Sequence, residues 1–149
     1  KLFSQAKKEG IATVIMEVSS HAIVQRRIAG LLFDVAVLTN ITHEHLDYHK
    51  TMKHYSETKK QLFTHFLKKD GMVILNVDDE YGKAWSEEFS NFSLDSSQRE
   101  EHKRMFTQTQ TLSNPPYQGG EIKTYSREGK KADIAATDIT SQEKGIIFS

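Results

Sequence analysis

The chain has 149 residues, 37% of them hydrophobic and 27% charged, enough apolar material for one buried core and too much for a wholly disordered chain. Lys+Arg and Asp+Glu both number 20, so no surplus positive charge marks a nucleic-acid arm or a polybasic membrane anchor. There is no cysteine, which excludes disulfides, a thiolate zinc centre and a Cys nucleophile. The longest apolar stretch, Ala29 to Leu38, is broken by Asp34 and is too short to span a bilayer. No signal peptide precedes it, so a cytoplasmic protein is expected, with neither nucleic acid nor membrane as partner. The chain opens at Lys1 without an initiator Met and reads as part of something longer.

In chain order, a helical pattern at the start gives way to Ala12–Val18, a short β-branched run between Gly10 and Ser19-Ser20 that predicts a buried strand. The Ser pair can cap a helix from about His21 to Ala29, stopped by Gly30. Phe33–Asn40 predicts a second buried strand. After a polar turn, Met52, Tyr55, Leu62, Phe63, Phe66 and Leu67 follow helical spacing across Thr51–Lys69, and Gly71 lies just beyond. Met72–Val77 predicts a third strand, and Asp78-Asp79 can cap a helix carrying Tyr81, Trp85 and Phe89. Strands alternating with helices imply an α/β fold: a mostly parallel sheet flanked by helices. Asn91–Glu121 is rich in Ser, Thr, Gln and charge and holds Pro115, Pro116 and Gly119-Gly120, so it is expected to be a flexible insertion. Ile122–Ser126, Ile134–Ile139 and Gly145–Ser149 predict short strands, an antiparallel extension.

In an open α/β sheet, ligands bind beyond the carboxyl ends of the strands. The first such end offers Glu17, Ser19, Ser20 and His21. The second offers Asn40, Thr42, His43, Glu44, His45, Asp47 and His49. Glu17 and His45 could give a divalent ion one carboxylate and one imidazole, as suits magnesium that keeps several waters. His43-x-His45-x-Asp47 also resembles the H-x-H-x-D-H signature of zinc hydrolases of metallo-β-lactamase type, with His43, His45 and His49 as ligands. There, however, Tyr48 holds the sixth position and His49 comes one residue late. A Walker loop is missing, since neither Gly82-Lys83 nor Gly129-Lys130 has a glycine five residues before the Gly or Ser/Thr after the Lys.

Met16-Glu17-Val18-Ser19-Ser20-His21-Ala22, Gln25-x-Arg27, Phe33-Asp34-Val35-Ala36-Val37, Thr39 through His49, Tyr55-x-x-x-Lys59 and Asn76-x-Asp78-Asp79 closely resemble the central domain of the Mur ligases. The nearest type is MurE, the tripeptide synthetase of peptidoglycan synthesis. The resemblance is continuous over about Leu2 to Ser86 and weakens after Asn91. It implies a P-loop-type domain lacking its P-loop, with residues 1–149 as a partial central domain and 91–121 as an insertion. It implies ATP as cosubstrate, Mg²⁺ as cofactor, and UDP-MurNAc-dipeptide and a diamino acid as substrates, joined through an acyl phosphate. Glu17, His45 and a carbamylated Lys59 would then be metal ligands, with His45 and Lys59 catalytic. Ser19, Gln25 and Arg27 would contact the muramoyl peptide, and Asn40 would order the loop near metal and nucleotide. Glu44 stands where the family often has Asp. The remainder of such a ligase lies outside this sequence, so the chain alone is expected to be inactive.

Overall fold

A computed structural model describes residues 2–43, 46–94, 120–135, 139–142 and 145–148. Among these residues, five helices, α1 (Leu2–Lys8), α2 (Ser20–Val24), α3 (Leu46–His49), α4 (Met52–His65) and α5 (Glu80–Leu94), accompany six strands. These are β1 (Phe33–Leu38), β2 (Leu67–Asn76), β3 (Ile122–Ser126), β4 (Ile134–Ala135), β5 (Ile139–Gln142) and β6 (Gly145–Phe148). Strands β1, β2, β3 and β4 lie side by side in that order and every pair is parallel. The predicted α/β class is therefore the one observed.

The sheet's core face follows from the two-residue strand period. Ala36 and Leu38 of β1 stand in register with Val73 and Leu75 of β2, and all four are buried. Helices α4 and α5 cover them with Tyr55, Phe63, Trp85 and Phe89. Their rings meet edge-on or tilted: Phe63 and Trp85 lie 5.8 Å apart, Trp85 and Phe89 6.4 Å, within the range favoured by aromatic quadrupoles. Each helix has a side-chain cap. The Thr51 hydroxyl accepts from the His54 N–H at 3.1 Å, and Asp79 Oδ1 accepts from the N–H groups of Tyr81 and Gly82 at 3.0 and 3.1 Å, so the expected Asp cap of α5 is present. At Gly82 the first turn of α5 crosses the end of β2 so closely that an added Cβ would sit 1.9 Å from the Asn76 carbonyl oxygen. Only glycine fits there.

Four boundaries differ from the sequence reading. Residues 12–18 form no strand: they have no ladder partner among the described residues, and Ile15 is 94% exposed. Apolar β-branched composition favours a strand only where a neighbour supplies hydrogen bonds and a face to pack against. Helix α2 stops at Val24, not Ala29, because Arg26 takes a left-handed conformation (φ 55°). The Arg26 and Arg27 N–H groups then bond the Ile23 and Ala22 carbonyls at 3.0 and 2.9 Å, the Schellman pattern that ends a helix. Helix α4 ends at His65 and β2 begins at Leu67, so Gly71 lies inside a strand. The register shifts between Phe33↔Leu67 and Val35↔Met72 accommodate that irregular stretch.

The expected antiparallel extension is also divided differently. β3 and β4 join the main sheet in parallel, and only β5 and β6 pair antiparallel, as a separate ribbon. Of the expected insertion, residues 91–94 belong to α5, while Gly120 and Glu121 bond β2 through Gly120 N–H to Gly71 O and Val73 N–H to Glu121 O, both 2.9 Å. Its remainder lies outside the described residues.

Candidate functional site

The loop leaving β1 is pinned at three successive residues. Asn76 Nδ2 donates to the Thr39 carbonyl at 2.7 Å, Lys59 Nζ to the Asn40 carbonyl at 3.4 Å, and the Ile41 N–H donates to Asp79 Oδ2 at 2.9 Å. β2, α4 and the cap of α5 thus each hold one residue of Thr39-Asn40-Ile41. Two residues singled out from sequence, Asn40 and Lys59, meet here. Lys59 is half-buried, and its ammonium lies 5.2 Å from the centre of the Tyr55 ring, a cation–π distance.

The segment expected at the end of a first strand, Glu17 to His21, follows no strand; its Ser20 lies 2.8 Å from His49, just before α4. Ser19 is the N-cap of α2, its hydroxyl accepting from the Ala22 N–H at 3.2 Å, so its capping role is real whatever else it touches. Gln25 is the C-cap of the same helix, and Arg27 follows the left-handed Arg26; both are exposed. Glu17 is exposed in the irregular segment before Ser19. His45, together with Glu44, lies outside the described residues. Among the described residues no three His, Asp or Glu side chains converge on one point as a metal cage.

His43 is exposed and His49 is buried. His49 Nε2 lies 2.8 Å from Ser20 Oγ and its Nδ1 lies 3.2 Å from His54 Nδ1. With both ring nitrogens hydrogen-bonded, His49 has no lone pair directed at a zinc ion, which removes the third ligand from the zinc-hydrolase reading. Ser20 and His49 were singled out from sequence, His49 as a zinc ligand, but the hydrogen bonds that join them, and His54 at the far end, were not.

At the end of β2 a second polar cluster ties the sheet together. Asp78 accepts from the Ser126 hydroxyl at 2.7 Å and the Glu128 N–H at 3.2 Å, and also from the Arg127 N–H; the Lys130 ammonium lies 3.7 Å away. Burial pushes the Asp78 carboxyl up, but these hydrogen bonds and the Lys130 charge together hold it below the usual carboxylate range.

The Mur ligase middle domain family matches residues 1–115. The chain belongs to the Mur ligase family. It is 48% identical over 89 residues to the UDP-N-acetylmuramoyl-L-alanyl-D-glutamate--2,6-diaminopimelate ligase of Fusobacterium nucleatum subsp. nucleatum, covering 60% of this chain and 18% of that protein. With the ligase of the same name from Buchnera aphidicola subsp. Schizaphis graminum it shares 35% identity over 135 residues, 90% of this chain and 24% of that one. A solved structure of a ligase of that name superposes with a TM-score of 0.54 at 28% identity, over 89% of this chain and 22% of the other. The chain therefore spans about a fifth of the length of these Mur ligases. The parallel sheet and its helical cover are the fold of the family's middle domain.

Proposed function

We propose that this Mur ligase chain supplies the muramoyl-peptide and metal side of an active site that joins a diamino acid to UDP-N-acetylmuramoyl-L-alanyl-D-glutamate, driven by ATP, in peptidoglycan synthesis. The observation that carries this reading is the family match across residues 1–115, which includes both the Glu17–Arg27 segment and the loop after β1. The printed names of the relatives make 2,6-diaminopimelate the diamino acid we infer. The surroundings are those of a soluble cytoplasmic enzyme on this reading; among the described residues no helix is long and apolar enough to cross a membrane.

The residues suit these roles by their chemistry. Arg27 offers an exposed planar guanidinium, which fits carboxylate or phosphate by two parallel hydrogen bonds. Ser19 and Gln25 bracket the same short helix and present polar groups at its two ends. Magnesium takes one or two carboxylates and keeps waters, so the exposed Glu17 carboxylate fits it, with His45 and a carbamylated Lys59 as the other ligands. When bound, the ion would offset repulsion between the substrate carboxylate and the triphosphate. Lys59 as an ammonium would be repelled by it, whereas its CO₂ adduct is an anion. The Asn40 carbonyl that Lys59 now contacts lies in the pinned loop, so the side chain already reaches the segment leading to His45. Rigid placement of reacting groups supplies much of the catalysis in phosphoryl and acyl transfer.

A chimera tests this directly. This chain's matched segment would replace the corresponding 89 residues of the Fusobacterium ligase, and diaminopimelate-dependent phosphate release would be measured. Activity within about tenfold of the parent, roughly 1.4 kcal/mol in barrier, supports the reading; an inactive but folded chimera overturns it. In the active chimera, Lys59→Ala should abolish turnover, with partial recovery on adding acetate or formate. Unrescued near-parent activity would remove Lys59 from the metal site.

A further inference from the structure

His49 plays no part in the reaction as described, yet its imidazole is enclosed, 2% exposed. Three features converge on it. Ser20 Oγ, at the first residue of α2, lies 2.8 Å from Nε2, and Ser20 is itself 1% exposed. His54 Nδ1, in the first turn of α4, lies 3.2 Å from Nδ1. The rings of His21, Tyr48 and Tyr55 surround it at 5.9, 5.0 and 5.2 Å. The chain reverses just after it: Lys50 takes a left-handed conformation (φ 62°), and the Thr51 N–H donates to the His49 carbonyl at 2.7 Å. A non-glycine residue held there costs on the order of 1–3 kcal/mol, so the surrounding packing over-determines the turn.

We propose that His49 is a positioning residue whose imidazole clamps the start of α2 to the start of α4, fixing the Ser19 end of the muramoyl-peptide side relative to Lys59. The functional half of this statement rests on the ligase reading above. The clamp itself does not. Ser20 follows Ser19 directly, and α4 carries Lys59 between one and two turns beyond His54. A shift of either helix start would change the separation of the groups that must meet across the substrate.

The geometry dictates a proton arrangement. A neutral imidazole has one N–H and one bare nitrogen, and the Nδ1···Nδ1 contact needs one of each. If His49 carries its proton on Nε2 and donates to Ser20, His54 must carry its own on Nδ1. If His49 is protonated on Nδ1, Ser20 donates to Nε2 and His54 is protonated on Nε2. Either way the two histidines hold opposite tautomers. Free imidazoles in water both favour Nε2–H, a state that breaks this contact.

Long-range ¹H–¹⁵N correlation spectra of the 149-residue chain at pH 8 therefore decide the first point. Opposite tautomers at His49 and His54 support the clamp; Nε2–H at both overturns it. Two conservative variants decide the coupling. His49→Gln places an amide where Nε2 stood and keeps the Ser20 side, while His49→Asn keeps the His54 side. With a true clamp, each variant speeds amide exchange at both Ile23 and Tyr55, the N–H groups closing the first turns of the two helices. Faster exchange confined to one helix, or to neither, overturns the coupling even if both variants fold as the parent does.

In the active chimera, His49→Asn and His49→Gln should each raise KM for the muramoyl dipeptide about three- to tenfold, the scale of one lost hydrogen bond, leaving KM for ATP unchanged. Equal KM in parent and both variants overturns the positioning role. An inactive chimera counts against the ligase reading alone, because the tautomers and exchange rates are measured on the chain itself.

Discussion

The two faces of the sheet are built from the same strands and lead different lives. On one face Ala36, Leu38, Val73 and Leu75 lie under α4 and α5, with Trp85 and Phe89 completing the core. On the other, the alternate residues Val35 and Val37 are 47% and 48% exposed, and Met72 and Ile74, their register partners, are only half-buried. Both faces are apolar in sequence, as expected for parallel strands, which are normally covered on both sides. The difference teaches that composition gives the capacity of a strand for burial, while the neighbouring layer decides whether it is used. Stability should accordingly be concentrated on the α4–α5 side.

The largest effects should come from the covered face. Gly82→Ala would drive a methyl into the Asn76 carbonyl, a backbone group that cannot rotate away. Since overpacking ordinarily costs about 1–3 kcal/mol and occasionally more, this backbone clash should reach the upper end, measured as a shift in the urea midpoint at constant slope. Phe89→Ala, at 1% exposure, should cost about 3–5 kcal/mol through the cavity it leaves. A loss below about 1 kcal/mol for either would mean that this face does not carry the fold.

An intermediate effect is expected where the sheet is tied at the end of β2. Because the Asp78 carboxyl is held below its ordinary value in the folded chain, its contribution is present above the unfolded pKa near 4 and is lost as pH falls through the lower folded value. Acidification below pH ~4 should thus release β3 and the Arg127–Lys130 turn, seen as faster exchange of the Arg127 and Glu128 amides relative to those of α4. Asp78→Asn should remove that acid dependence while costing about 1–3 kcal/mol at neutral pH, since it replaces hydrogen bonds to a charged acceptor. Unchanged acid sensitivity in the variant would assign the transition to other carboxylates.

How much of this was legible in advance depends on what each signal reports. The α4 and α5 helices, the Asp79 cap, and the buried strands β1 and β2 were readable because apolar spacing and capping chemistry are local. The early end of α2 was not, since Arg26 adopts a conformation that Arg rarely takes and Gly30 seemed the natural stop. Residues 12–18 misled because a strand is stable only as part of a ladder. Of the two segments expected at strand ends, only the one after β1 follows a strand, and the contact between Asn40 and Lys59 across 19 residues appears only in the structure. The Ser20–His49–His54 bridge was not legible either, because hydrogen bonds between residues 29 apart leave no pattern in spacing.

The smallest effects, and the sharpest check on the contrast, belong to the open side. Ile15 is 94% exposed and Val37 is 48% exposed, so replacing Ile15 with Ser or Val37 with Thr removes little apolar area that folding has withdrawn from water. At roughly 25 cal/mol per Å² the lost burial is minor, and Thr keeps the β-branched shape that suits a strand. Each variant should therefore unfold within about 0.5 kcal/mol of the parent, as surface substitutions do. The same changes reduce exposed apolar surface, to which Ile11, Val14, Met16 and Val35 also contribute, so solubility should rise even though stability does not. A cost above about 2 kcal/mol for Val37→Thr would place that side chain among those whose burial holds the chain together. The two faces would then be alike in energy, however differently they are covered.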